Sequence, residues 1–267
     1  MLPNTLNRYR AWAEFAAGKA VPDSKPTNLS IGLTNNCNFH CVYCDEHRPG
    51  NKVPRASLEG AVYEDLIALV ETSHTIAWHG ISEFFLDRRF FELVERSGKA
   101  GALLSLNTNG SVFTERHLQA LATYPAPINL NFSLDAAGAE VYRAVRGFDF
   151  DRVIANIRRY LAAMPGRPSW TWTSLSYVIT RTNVHEMVPF VQLAKDLGIK
   201  AVVFYRLHAY EGMNWKVQTA AGTEFDYQAE CVENVRETYN DNVRRADALA
   251  KQLGLHVTMP AELPSHG

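Results

Sequence analysis

The 267-residue sequence has no long uncharged apolar run, and charges interrupt its N-terminus. A membrane-spanning helix needs about 20 mostly apolar residues, so none is expected. Arg8, Arg10 and Glu14 fall where a signal peptide would need its apolar core. The cytoplasm is therefore the expected location, and no membrane partner is expected.

The chain also lacks an excess of either charge: 27 basic and 28 acidic residues leave a formal net charge of −1. Nucleic acid is not an expected partner, because its binding surfaces are strongly basic. Three arginine pairs lie far apart on predicted helices, where they are read as solvated faces. The pairs are Arg88 and Arg89, Arg158 and Arg159, and Arg244 and Arg245.

Cysteine is scarce, with four in the chain. Cys37, Cys41 and Cys44 lie within eight residues, whereas Cys231 stands alone. Sulfurs this close in a chain without an export signal favour metal binding over a disulfide framework.

What the sequence does contain is a regular alternation of strand and helix patterns. Strands are expected at 28–33, 74–79, 102–106, 128–134, 170–179 and 200–206, and helices at 57–71, 87–100, 114–123, 150–163 and 184–197. An opening helix at 4–17 and a long charged helix around 224–253 complete the pattern. Six strand–helix units in series predict an α/β fold with a parallel sheet, wound or barrel-like.

Polar segments follow the predicted strands, at the edge where ligands gather in such folds. They are the cysteine loop and the segments HGISE, NTNG, SLD and YRL, which begin at residues 79, 107, 133 and 205. We divide the chain into an N-terminal helical lead (1–27), a core (28–222), and a C-terminal helix and tail packing on that core (223–267).

Three thiolates at the spacing of Cys37, Cys41 and Cys44 can hold a [4Fe–4S] cluster and leave its fourth iron open, as a catalytic cluster requires. The alternative is a zinc site with His40 or His47 as the fourth ligand.

The CX3CX2C pattern, with Tyr43 before its last cysteine and a strand before its first, resembles the radical S-adenosylmethionine (SAM) superfamily. It is similar to the core of SPASM/twitch-type members without their C-terminal auxiliary-cluster domain. The resemblance implies a partial (β/α)6 TIM-like barrel with parallel strands. It also implies a [4Fe–4S] cluster on Cys37, Cys41 and Cys44, with SAM on the open iron. Reductive cleavage of SAM would then give a 5′-deoxyadenosyl radical that abstracts a substrate hydrogen atom.

The resemblance further implies a set of SAM contacts. Ser82 and Glu83 stand where the family has Gly-Glu-Pro, so Glu83 is expected at the methionyl amine. Asn107 and Asn109 follow the third strand and are expected to make polar contacts to SAM. Taken alone, Glu83 could also be a helix-start carboxylate, and Asn109 part of a plain turn.

Further contacts are expected after the fourth strand and near the adenine. Ser133 is expected at the ribose or the methionyl carboxylate, and Arg146 at that carboxylate. Asp135 belongs to the same Ser-Leu-Asp motif, although it reads equally well as a cap. Tyr43 is a candidate for adenine, as is Tyr205 at the last strand. Val178 and Phe204 are further candidates, and for Phe204 the core is the better reading.

Because Cys231 alone follows Cys44, this chain can build one cluster, which favours redox-neutral chemistry such as epimerisation or dehydration. The substrate would be a small molecule, such as a sugar metabolite, or a peptide. An external one-electron donor of the flavodoxin or ferredoxin type is expected. Cys231 is a candidate hydrogen-atom donor or simply a buried apolar residue, and His79 a candidate pocket residue. A glycyl-radical-enzyme activase and a zinc-stabilised non-enzymatic binding protein are the alternatives.

Overall fold

The computed structural model describes residues 2–78, 80, 82–164 and 171–264. His79, a candidate pocket residue with a core-edge histidine as the alternative, lies outside them. Within the described residues, no helix is both long and apolar enough to cross a lipid bilayer. The cytoplasmic location stays a prediction.

A parallel sheet forms the centre of the molecule, and its strands pair in the order of the chain. The first six are β1 (Asn28–Ile31), β2 (Thr75–Trp78), β3 (Leu103–Thr108), β4 (Ile128–Ser133), β5 (Trp172–Ile179) and β6 (Ala201–Arg206). A short antiparallel hairpin follows, made of β7 (Lys216–Gln218) and β8 (Glu224–Asp226). Strand β9 (His256–Thr258) then pairs with β6, so β1 and β9 are the two edges of the sheet. The predicted partial barrel of parallel strands is confirmed.

Helices connect the strands, as the alternating pattern predicted, although the short helix Ala139–Arg146 was not expected. They are α1 (Pro3–Ala16), α2 (Gly60–Val70), α3 (Phe90–Ala100), α4 (Glu115–Ala122), α5 (Ala139–Arg146), α6 (Phe150–Ala163), α7 (Met187–Asp196) and α8 (Arg236–Leu253). Their starts follow local chemistry: Thr114 caps α4 in a capping box, and Asp149 caps α6.

Two helix predictions need correction. Helix α8 begins at Arg236 rather than near 224, because the segment Glu224–Asp226 pairs with β7 instead. The helix expected at 57–71 also begins later than predicted, because Ser57 bridges to Thr34 and α2 begins at Gly60. The proposed boundary between 222 and 223 falls inside the β7–β8 hairpin, and β9 shares the main sheet. The domain division stays a prediction.

The two faces of the sheet differ sharply. On the helix-covered side, alternate strand residues such as Leu106, Phe132 and Tyr177 are fully buried. Phe204 belongs to this side and packs between Tyr177 and Phe190, which makes it a core residue. The intervening residues point to the opposite side, the concave face, and on β3–β5 most of them are small and polar. These are Ser105, Asn107, Asn129, Asn131, Ser133, Ser174 and Ser176, whereas Leu103, Trp172 and Val178 are the larger apolar residues of that face.

Helix α1 packs through amides rather than through its apolar residues. The Asn7 amide donates to the carbonyls of Lys25 and Thr72, whereas Leu6 and Tyr9 are each more than 60% exposed. The apolar spacing therefore predicts the helix, but not the face that it buries.

Candidate functional site

The cysteine loop follows β1 and is held by the apolar residues between its cysteines. Phe39 stacks on Phe148 with ring centroids 4.4 Å apart. The main chain of Val42 is bound on both sides: its N–H donates to the Val145 carbonyl at 3.1 Å, and its carbonyl accepts from the Trp215 indole at 3.1 Å. The three cysteines of this anchored loop line one pocket.

One pocket collects the cysteine loop and the carboxyl ends of β2, β3 and β4. The residues that line it were mostly predicted from the sequence motifs. They are Cys37, Phe39, Cys41, Tyr43, Cys44, Gly80, Ser82, Glu83, Asn107, Thr108, Asn109, Ser133 and Arg146. Ten of the thirteen site residues predicted from these motifs therefore share one cavity.

The thiols of this pocket suit a cluster better than a single ion. Among the described residues, no three His, Cys, Asp or Glu side chains converge closely enough to hold one metal ion. A [4Fe–4S] cube binds three cysteines at three different irons, so its ligands need not converge on one point. Burial raises the pKa of the Cys41 thiol to about 12, so the cationic metal would have to drive its deprotonation. The donor set fits the cluster.

Glu83 is a buried carboxylate at the edge of the pocket. One of its oxygens accepts from the Thr108 hydroxyl at 2.8 Å, and the other accepts from the Asn109 N–H at 2.7 Å. It also caps a short helical turn through the Phe85 N–H. Burial outweighs these hydrogen bonds and raises the pKa of Glu83 to about 7. With 1% of its surface exposed, this carboxyl group has almost no contact with solvent.

A second buried group joins β4 to the cysteine loop. Asp135 has a left-handed backbone, with φ 61°, and accepts from Arg146 at 3.0 Å and from the Tyr43 hydroxyl. Arg146 also donates to the Ser133 carbonyl at 2.6 Å. The carboxylate thus neutralises the guanidinium, and both hold Tyr43 of the loop. Burial, followed by the Asp135 charge, raises the pKa of Tyr43 well above its usual value, which keeps the phenol neutral.

The remaining predicted contacts are distributed unevenly around the pocket. Asn107 is exposed on the concave face, and Ser133 lies beside it at the end of β4. Asn109 is buried and turned toward the cysteine loop. Tyr205 is half-exposed on the concave face of β6, outside the residues that line the pocket.

Cys231 is also outside the pocket lining. It is buried in a small cluster that packs the hairpin against Val42, and its thiol faces the Tyr227 carbonyl at 3.5 Å. This placement leaves its proposed role as a hydrogen donor a prediction.

Three residues of the site were not predicted. Thr108 holds Glu83, and Asn38 and Ser111 join the cysteine loop to the loop after β3 by a hydrogen bond of 2.9 Å. Thr108 belongs to the NTNG motif and Asn38 to the cysteine motif, so their positions in the sequence could have marked both as site residues. Ser111 had none.

Comparison with known proteins agrees with this geometry. The family model described as the Radical SAM superfamily matches residues 31–194. A probable GTP 3′,8-cyclase of Saccharolobus islandicus is 27% identical over 189 residues, covering 68% of this chain and 57% of that protein. The mycofactocin maturase MftC of Mycolicibacterium smegmatis is 30% identical over 175 residues, covering 65% and 43%. The matches thus span about half the length of these curated relatives.

Solved structures show the same fold at low identity. SuiB of Streptococcus suis bound to S-adenosylmethionine superposes with a TM-score of 0.65 and 13% identity, covering 95% of this chain and 54% of SuiB. A second SuiB structure is bound to its precursor peptide SuiA, with a TM-score of 0.56, 15% identity and coverages of 74% and 43%. The enzyme anSMEcpe with bound AdoMet gives 0.63 at 17% identity, covering 87% and 63%.

Proposed function

Since the chain belongs to the radical SAM superfamily, we propose that Cys37, Cys41 and Cys44 hold its [4Fe–4S] cluster and that it cleaves SAM to abstract a substrate hydrogen atom. The cluster and SAM are the cofactors of this family, and together they supply the electron and the adenosyl radical. The observation that carries the proposal is the shared pocket. In this pocket the three cysteines lie beside Glu83, a buried carboxyl group whose pKa is raised to about 7. Membership of an enzyme family argues against the non-enzymatic zinc alternative.

Within this pocket, Glu83 is the proposed partner of the SAM ammonium. A carboxylate whose pKa is raised to about 7 by burial gains most from a bound cation, which would restore its charge. Its two oxygens are already fixed by Thr108 and Asn109, so little ordering is needed on binding. The neighbouring Ser82 lines the same pocket and is a further proposed contact.

Arg146 and Asp135 form a buried ion pair, and we propose that this pair mainly supports the site. Because Asp135 already neutralises Arg146, the guanidinium offers the SAM carboxylate hydrogen bonds more than free charge. Ser133 presents its hydroxyl at the same strand end and is the proposed contact to the ribose or the carboxylate. Tyr43 is fixed by Asp135 at the cysteine loop, as an adenine contact requires.

The concave face is the proposed substrate surface, and it favours an uncharged ligand. No described strand residue on that face of β1–β6 is Asp, Glu, Lys or Arg. Its amides and hydroxyls are already aligned: Asn131 accepts from Ser174 at 3.0 Å and donates to Ser176 at 2.8 Å. Such a surface suits peptide amides, whereas a nucleoside triphosphate would need cations. We therefore propose a peptide substrate, which the complex of SuiB with its precursor peptide SuiA supports by analogy.

The electron is proposed to come from an external donor of the flavodoxin or ferredoxin type. The sequence contains one cysteine beyond the cluster motif, so its own residues cannot ligate a second cysteine-bound cluster. Among the proposed redox-neutral outcomes, epimerisation would use Cys231 as hydrogen donor. Incubation in D₂O tests that role, because deuterium uptake that persists undiminished in Cys231→Ala would exclude it.

Anaerobic reconstitution tests the proposed function directly. The protein should bind about four irons and four sulfides and show a brown chromophore that air destroys. Dithionite and SAM should then give 5′-deoxyadenosine and methionine, and Cys37→Ala should abolish both. A colourless protein with one zinc would refute the proposal. Peptides encoded beside its gene should accelerate 5′-deoxyadenosine formation, whereas acceleration by GTP alone would refute the peptide assignment.

A further inference from the structure

The side-chain amide of Asn109 has one orientation, which its neighbours dictate. The backbone N–H of Ser111 lies 2.9 Å from Oδ1 of Asn109. A backbone N–H can only donate, so the oxygen must face Ser111 and the NH₂ group must face the opposite way. The opposite direction is the cysteine loop, where Asn38 lies.

Both hydrogens of that NH₂ group have acceptors in the loop. One points to Oδ1 of Asn38 at 3.0 Å, and the other to Sγ of Cys37 at 3.9 Å. The second distance is long, as expected for a large sulfur acceptor. Asn109 is 7% exposed and its main-chain N–H is bound to Glu83, so the side chain is held in place. All the donors of this amide are therefore engaged, and none is left for SAM.

We infer that Asn109 is a positioning residue of the cluster rather than a SAM contact: its amide donates an N–H···S hydrogen bond to the Cys37 ligand. The inference rests on the proposed function, in which Cys37 is a cluster ligand. Reduction adds negative charge to the cluster and its sulfurs, so a donor at the sulfur favours the reduced state. Asn109 would therefore raise the reduction potential and make the cluster easier to reduce.

Two variants test the inference through the reduction potential, measured by EPR-monitored titration without SAM or substrate. Asn109→Asp keeps the shape and an oxygen toward Ser111 but replaces the donor with a negative oxygen. Asn109→Ala removes the side chain. Both should shift the potential to more negative values, and Asp further than Ala. Ser111→Ala is the matched control, because it removes hydrogen bonds from the same loop and none of those described for the Ser111 side chain goes to a sulfur; its potential should lie closer to wild type than that of either Asn109 variant.

A second readout separates the two roles of Asn109. In Asn109→Ala the main-chain N–H to Glu83 remains, so SAM affinity measured calorimetrically on the oxidised protein should change by less than about threefold. Loss of a direct SAM hydrogen bond would weaken it about tenfold or more. An unchanged potential, or a shift equal to that of Ser111→Ala, overturns the inference. A wild-type protein that assembles no [4Fe–4S] cluster would instead refute the proposed function.

Discussion

Replacing Glu83 with glutamine should change how the folding stability of the metal-free protein depends on pH. Burial raises the pKa of Glu83 from 4.5 to about 7 in the folded state. Since the folded value lies above the unfolded one, the folded chain holds the proton more tightly. The resulting stabilisation is fully present below about pH 4.5 and is lost as the pH rises through about 7. A shift of this size corresponds to about 3 kcal/mol.

Glutamine removes this dependence and adds a constant cost. If its oxygen accepts from the Asn109 N–H, its NH₂ group faces the Phe85 N–H, which then loses its acceptor at a cost of about 1–3 kcal/mol at every pH. Wild type should therefore be clearly more stable at pH 5. Its advantage should fall by about 2–3 kcal/mol by pH 8.

Urea unfolding followed by tryptophan fluorescence, in steps of one pH unit, measures the difference directly. All other titrating groups are shared by the two proteins, so they cancel to first order. Two stability curves that run parallel from pH 5 to pH 8 would show that Glu83 does not titrate as its burial requires. In the loaded protein, SAM affinity should rise from pH 6 to pH 8 in wild type and stay flat in Glu83→Gln.

Three further substitutions probe the frame of the site by urea unfolding. Arg146→Met leaves Asp135 buried without its cation and should cost about 3–5 kcal/mol; a loss under about 1 kcal/mol would contradict the pairing. Gly110→Ala places a Cβ at a left-handed φ of 73°, within 3.2 Å of two side chains, and should cost about 1–3 kcal/mol. Trp215→Phe strips the Val42 carbonyl of its donor and should cost about 1–3 kcal/mol. It should also speed amide exchange around the cysteine loop, and unchanged exchange would refute the anchoring role.

Much of the fold and of the pocket was predictable, because both follow from local patterns. Strand and helix periods gave the order of the barrel units, and each polar motif stands directly after a strand. Parallel strands end at one edge, so Glu83, Asn107 and Ser133 had to lie near the cysteines. The boundaries were less predictable. Helix α8 starts late because an earlier part of the predicted helix forms β8, which pairs with β7. The helical spacing of apolar residues cannot reveal such a pairing.

Side-chain direction was the other unpredictable part. Asn107 and Asn109 are two residues apart on the same motif, yet one faces the concave side and the other is buried against the cysteine loop. Strand alternation would put them on the same face, but β3 ends at Thr108 and Asn109 belongs to the turn. The pairing of Arg146 with Asp135 likewise depends on a left-handed residue that a sequence motif does not reveal.

In the part of the chain that the structure describes, β1 and β9 do not pair with each other, and this gap affects how a long substrate could reach the concave face. In a closed barrel, a polymer can reach the centre only by threading an end through the mouth. In a sheet that stops short of closure, a chain can be laid in sideways along the gap. Modification in the middle of a polypeptide then requires no free terminus. The distance between the target residue and either end of the substrate would then depend on the sequence of the substrate and not on the depth of the barrel.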